Sequence, residues 1–336
     1  MMRRKLGQRL EAIFRAQCGV MILVLGAALA LPAVCSGAEL RYTNINDVRY
    51  VFLEDVADFY GLAFRRRSDG VVLSSRWSGL HFEKDKRQAR INDVTVHLSH
   101  APAKWHGQPM VSRPDFLYMI DPLLRPSLNQ RAAEKHVVLD PGHGGKDKGA
   151  EGTQVVEKEL VLDVAEKAAH SLRKEGYEVS LTHNGDKKLP LAQRPRLAKK
   201  RGADLFISIH ANHAADESAS GIETFILPPH GTAPTYNNRA LTKRRSAHRF
   251  SRSNACLGYS LQQYTVETTQ ATDRGLKHAN FSVLRNASTP AALLEVGFLS
   301  NPSEEKRLRK DSYRRKLAQG ITRGVSRYYQ RVNRGK

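Results

Sequence analysis

Three apolar runs in this 336-residue chain each end in a side chain able to bind a metal or move a proton. Val137-Val138-Leu139 leads through Asp140-Pro141-Gly142 to His143 and a glycine-rich turn, Gly144-Gly145-Lys146-Asp147. Leu205-Phe206-Ile207-Ser208-Ile209 leads to His210-Ala211-Asn212, and Ala291-Ala292-Leu293-Leu294 leads to Glu295-Val296-Gly297. Open α/β sheets bind their ligands at the carboxyl ends of strands, which is where these turns fall. Catalytic zinc takes three protein ligands, mostly imidazole and carboxylate, and leaves a fourth position for water. Such a site lowers the pKa of the water to about 7 and polarises a carbonyl, while a separate carboxylate handles the proton. His143 and His210 are candidate ligands, Glu157 or Glu159 the third, and Glu295 the candidate base. Spacing alone leaves a second reading open, in which both histidines are satisfied core residues, because they are far apart and not on one helix as in His-Glu-x-x-His. A phosphate loop at residues 142–149 is excluded: the four-residue gap and the Ser/Thr after Lys146 are missing.

The elements that must position these groups alternate. Apolar residues at 160, 161, 164, 165, 168 and 172 mark a helix face, and Gly176 ends it before the strand Glu178-Val179-Ser180-Leu181-Thr182. A helix is expected near residues 191–201 with Pro195 in its first turns, then the His210 strand, a strand over 221–227 and a helix over 254–269. Strands are expected at 281–284 and 292–295, and helices from Pro302 onward. Strand–helix alternation argues an α/β fold with a mainly parallel central sheet and helices on both faces, over residues 135–330.

Residues 39–131 read as a small α+β domain that precedes it. Phe52, Leu53, Val56, Ala57 and Tyr60 share a helix face closed by Gly61. Ala89-Arg90-Ile91 and Val94-Thr95-Val96-His97-Leu98 flank Asn92-Asp93 as a hairpin, and Ser112 with Asp115 resembles a capping box. His97, His100 and His106 read as strand or surface residues. Pro122, Pro126 and Asn129-Gln130-Arg131 read as a linker.

Net charge is +21, which asks for anionic partners. Nucleic acid is disfavoured, because the basic residues are scattered and no zinc-finger or RNA-recognition spacing accompanies them. Residues 1–38 read as a signal peptide: Arg3, Arg4, Lys5, Arg9 and Arg15 precede an apolar run over 20–34, and Ser36-Gly37-Ala38 offers a cleavage site after Ala38. The run is shorter than the roughly 20 residues a membrane span needs, which favours a cleaved signal peptide over the alternative, an uncleaved anchor, and no transmembrane segment is expected after cleavage. Cys18 and Cys35 lie in that segment, which leaves Cys256 alone and read as core packing.

Asp140-Pro141-Gly142-His143-Gly144-Gly145, Glu157-Lys158-Glu159-Leu160, Ser208-Ile209-His210-Ala211-Asn212 and Leu294-Glu295-Val296-Gly297-Phe298-Leu299-Ser300-Asn301 together resemble the zinc-dependent, type-3 N-acetylmuramoyl-L-alanine amidases. Asp273-Arg274-Gly275 and Val283-Leu284-Arg285 fit the same pattern. The first domain resembles the stalk-like domains related to the N-terminal domain of copper amine oxidases, on its Tyr50–Val56 start, its Ile91-Asn92-Asp93 hairpin and Ile120-Asp121-Pro122. The amidase resemblance implies Zn2+ held by His143, Glu157 and His210, with Glu157 preferred to Glu159. It also implies Glu295 as the base, Asn212 as a substrate-orienting residue, and peptidoglycan as the substrate of a secreted protein of the periplasm or cell envelope. A monomer is expected, with anionic envelope polymers as further partners. A zinc peptidase of the stem peptide and a non-catalytic wall-binding protein are the alternatives.

Two departures from the family pattern matter. His183 stands where relatives carry Arg and reads as a surface substitution. Residues 228–266 contain no Asp or Glu, whereas some relatives silence themselves with a carboxylate from this region. The chain is therefore expected to be active without an activator. Lys243, Arg244, Arg245, Arg249 and Arg252 make the stretch basic, read as a solvated loop or a clamp on anionic strands.

Overall fold

The computed structural model describes residues 39–129 and 135–333. The signal segment, its cleavage site after Ala38, and Gln130 and Arg131 of the expected linker lie outside the described residues. The first segment is built on tight hairpins. Strands β1 (Tyr42–Ile45) and β2 (Val48–Phe52) pair antiparallel through Asn46 and Asp47, both left-handed at φ 46 and 62°. Asn and Asp tolerate that region and make the turn that matches strand twist. Helix α1 (Leu53–Tyr60) stops at Gly61, φ 63°. A meander follows: β3 (Ala63–Arg67), β4 (Gly70–Ser74), β5 (Gly79–Glu83), β6 (Gln88–Ile91) and β7 (Val94–His97). The Asn92-Asp93 hairpin forms as its residue types demand, with φ 45 and 68°. Strands β8 (Ala103–Trp105) and β9 (Gln108–Ser112) complete a separate four-stranded sheet, β1-β2-β9-β8. Ser112 caps the following helical turn by accepting from the Asp115 amide at 3.2 Å.

The second segment runs β10 (His136–Pro141), α2 (Glu157–Lys174), β11 (Glu178–Leu181), α3 (Gln193–Lys200), β12 (Leu205–Asn212), β13 (Ile222–Ile226), α4 (Ser251–Thr269), β14 (Asp273–His278), α5 (Ser282–Arg285), β15 (Ala291–Phe298), α6 (Pro302–Leu308) and α7 (Asp311–Val332). The strands lie in the order β11-β10-β12-β15-β13-β14. Every neighbouring pair is parallel except β13 with β15. Strand β14 then pairs with β7 of the meander at Leu276 and Val96, so the two segments share one eleven-stranded sheet.

Period-2 alternation sorts the side chains of this sheet. Val137, Leu139, Ile207, Ile209 and Leu294 face one way, into a core with Val164 of α2, Leu257 of α4 and Ile321 of α7. Val138, Phe206, Phe225 and Leu293 face the other, under Ala198 of α3 and Leu284 of α5. The thinly covered second face is the one that also carries His210 and Glu295, two residues beyond Ser208 and Leu293. No described helix is long and apolar enough to cross a membrane.

One expected element differs, and one strand was not expected. Residues 281–284 form no strand; Ser282–Arg285 is one helical turn behind Phe281. A four-residue apolar run does not separate the two periods. The strand lies just before it, in β14, whose polar Asp-Arg-Gly-Leu-Lys-His sequence gives no strand signal and is held by its neighbours on both sides.

Candidate metal centre

His143 lies two residues beyond β10 in the left-handed region, φ 62°, and Gly144 and Gly145 follow at positive φ. The turn lifts the imidazole toward the first residue of α2, Glu157. The Glu157 carboxylate lies 3.2 Å from His143 Nε2 through Oε2 and 2.9 Å from His210 Nδ1 through Oε1. It also accepts from the amides of Ala150 at 2.7 Å and Ala211 at 3.0 Å. One donor atom from each of the three residues lies within 4.8 Å of the others. Glu159, two residues on, points elsewhere and is exposed. The Nδ1 of His143 faces Asp147 Oδ1 at 2.8 Å, which orients the ring and leaves Nε2 for a ligand. Burial would raise the Glu157 pKa, but His143 and His210 outweigh it and hold the carboxylate far below its usual range. For His143, burial works downward and the contacts with Glu157 and Asp147 prevail, so its pKa is raised.

The space is shaped for the donors. A Cβ on Gly142 would collide with the His210 ring, and one on Gly149 with Glu157 and His143. Close approach is why glycine occupies both positions. A buried network holds the loop from below. Asp140 accepts from Thr182 Oγ1 at 2.6 Å, Ser208 Oγ at 2.8 Å and Arg194 Nη1 at 3.0 Å. Arg194 also donates to the carbonyls of Pro141 and His143, each at 2.7 Å. Nothing in the helical period of α3 marks Arg194 as special; the signal was Asp140, an acid in an apolar strand that needs partners. His183 corrects its surface reading: it is 7% exposed, with ring nitrogens 3.0 Å from the Pro141 carbonyl and 2.7 Å from that of Gly185.

Glu295 lies in register with His210 on one side and with Glu223 of β13 on the other. It is buried, and its Oε2 has no hydrogen-bond partner. Burial first, then the negative charges of Glu157 and Glu223, push its pKa well above the usual carboxylate value. Glu223, unremarked in the sequence, accepts from Asn212 Nδ2 at 2.9 Å, Arg274 Nε at 2.9 Å and Lys277 Nζ at 2.5 Å. Asn212 is thereby fixed beside the His210 strand end.

Two histidines beyond strand ends and a glutamate at a helix start, beside a buried carboxyl with one unpartnered oxygen, form a donor set that could hold a metal ion. Residues 137–327 match the N-acetylmuramoyl-L-alanine amidase family profile, and the chain belongs to that family. It is 32% identical to the Escherichia coli amidase AmiA over 230 residues, 61% of this chain and 80% of that one. Among solved structures, the N-acetylmuramoyl-L-alanine amidase of Clostridium difficile 630 is similar at TM-score 0.51 and 34% identity, covering 61% of this chain and all of that one. The amidase AmiC2 of Nostoc punctiforme gives 0.50 and 28%, covering 60% and 99%.

Proposed function

We propose that this chain is an exported zinc amidase that hydrolyses the amide between N-acetylmuramic acid and the L-alanine of the peptidoglycan stem. The observation that carries the reading is the convergence of His143, Glu157 and His210 next to Glu295, whose free oxygen faces no protein partner. Two imidazoles and a carboxylate, with a second carboxylate behind one imidazole, are a donor set suited to zinc. Zinc bound there would supply Lewis acidity, lowering the pKa of water and polarising the scissile carbonyl.

The remaining work falls to side chains. Glu295 takes a proton from the attacking water and passes it to the departing alanine nitrogen. A raised pKa suits that two-way transfer, because a strongly acidic carboxyl would not accept the proton and a fixed hydrogen bond would compete for it. Asn212 retains a carboxamide N–H beyond the one given to Glu223, and that group orients the substrate. Asp147 and Arg194 keep His143 in place. Export rests on the segment ahead of Ala38, and a mature chain beginning at Glu39 is its check by amino-terminal sequencing.

Metal analysis of the purified protein tests the centre. One zinc per chain is expected, lost in His210→Ala, and a chelated enzyme should regain hydrolysis with zinc and not with magnesium. Undiminished turnover after complete metal removal would overturn the proposal.

A further inference from the structure

Away from the metal centre, a groove of about 680 Å³ gathers five arginines: Arg67, Arg76, Arg90, Arg327 and Arg331. Among the described residues lining it, the one acid is Asp93, fully exposed and 3.9 Å from Arg90. Arg327 and Arg331 lie four residues apart on α7, a spacing at which like charges repel. Neither forms an ion pair with a described carboxylate. Their hydrogen bonds to glutamines are long, 3.4 Å to Gln330 from Arg327 and 3.4 Å to Gln263 from Arg331, and the Arg331 guanidinium also lies 4.9 Å from the Tyr259 ring centroid. The buried Nε of Arg327 and Nη1 of Arg331 have no hydrogen-bond partner.

The other wall is a fixed turn. Ser75 Oγ accepts from the amides of Trp77 and Ser78, both at 3.1 Å, and the Ser75 amide donates to the Ser78 carbonyl at 2.8 Å. The turn holds Trp77 77% exposed, with the Arg76 guanidinium 4.7 Å from its ring centroid. A large indole held in water on an ordered turn is a surface for contact rather than packing.

We propose that this groove is a second binding site, for a phosphate-bearing saccharide. A phosphate presents three acceptor oxygens and up to two charges, so it bridges neighbouring guanidiniums; one carboxylate matches one guanidinium fork. Trp77 then takes the apolar face of the sugar ring. None of the candidate metal ligands, nor Glu295, lines the groove, so the site does not depend on the amidase reading.

The test uses the mature protein stripped of metal, so that phosphate has no metal to bind. Calorimetric titration with a hexose 1-phosphate should show saturable binding, and the unphosphorylated hexose none. Arg327→Gln with Arg331→Gln should weaken it at least about tenfold. So should the exposed-turn pair Arg76→Ser and Trp77→Ser, which keeps the test valid if the α7 variant fails to fold. Both should leave cleavage of soluble wall fragments by the metal-loaded enzyme unchanged. Vesicles carrying a phosphorylated glycolipid and a soluble sugar-phosphate polymer then distinguish a membrane from a wall source, and retention on either supports the site. The proposal fails if no phosphate probe binds. It fails equally if phosphate-free peptidoglycan strands or a DNA oligomer bind as well, with the same dependence on these residues.

Discussion

Glu157 and Glu295 are buried carboxyls of one site, and their surroundings drive them to opposite states. Glu157 meets two imidazoles and two backbone amides and is held as the anion. Glu295 meets two other carboxylates and keeps one oxygen without a partner, so its proton is held more tightly. Glu223 shows that the second outcome is not imposed by the sheet: directly opposite Glu295, it is paired with Arg274 and Lys277. Residue type and burial are shared, and the facing groups decide the role. On the proposed function, the carboxylates that hold the metal and the strand are the paired ones, and the one that moves the proton is the one left alone.

The comparison can be broken most sharply at Glu295. Glu295→Gln is expected to reduce hydrolysis by about a thousandfold or more while metal content stays at wild type. Thermal stability should not fall, because a buried carboxyl with an unpaired oxygen is itself a burden. A large drop in melting temperature would show that Glu295 is structural.

At Glu223 the expectation reverses. Glu223→Gln leaves the buried Lys277 and the half-buried Arg274 without their counter-charge, at about 3 kcal/mol of stability by denaturant titration. Metal content should be unchanged. A smaller effect, roughly 10- to 100-fold in metal affinity, is expected for Asp147→Ala, which frees the His143 ring and leaves all three ligands present.

Histidines extend the contrast to lower pH. His97 is pushed down to about 4, by burial and then by the Lys277 charge, and His278 to about 3, by burial and then by Arg87. Their folded pKa values lie below the unfolded value near 6.5, so the unfolded chain binds protons first. The stability they contribute is complete above about pH 6.5 and is lost as pH falls toward 4 and 3. The slope is about 1.4 kcal/mol per pH unit for each histidine. Melting temperature followed from pH 7 to 4.5 should decline, and His278→Gln should flatten the curve.

Much of this was legible because strands advertise themselves when both faces are buried. The three apolar runs are β10, β12 and β15, and the side chains ending them, His143, His210 and Glu295, lie in one site. Family resemblance favours Glu157 over Glu159, and the physical reason is visible only in three dimensions: the first position of α2 faces the histidines and the third faces solvent. What stayed hidden was held by tertiary partners. Strand β14 is polar because Arg274 and Lys277 serve Glu223, not because it is a loop. Arg252, read with the basic stretch, pairs with Asp121 at 2.7 Å and donates to the Leu117 carbonyl, tying α4 to the first segment. Lys243, Arg244 and Arg249 remain exposed. Cys256 is buried, donating to the Pro122 carbonyl, and its thiol is pushed up to about 12 by burial, which makes it inert.

The most direct test of the account is mass spectrometry of what the purified mature protein, without any added partner, releases from peptidoglycan. Free stem peptides beginning with the L-alanine amine are expected with zinc present, and none from the chelated enzyme or from Glu295→Gln. Cleavage within the stem peptide, or the same products from Glu295→Gln, would contradict it.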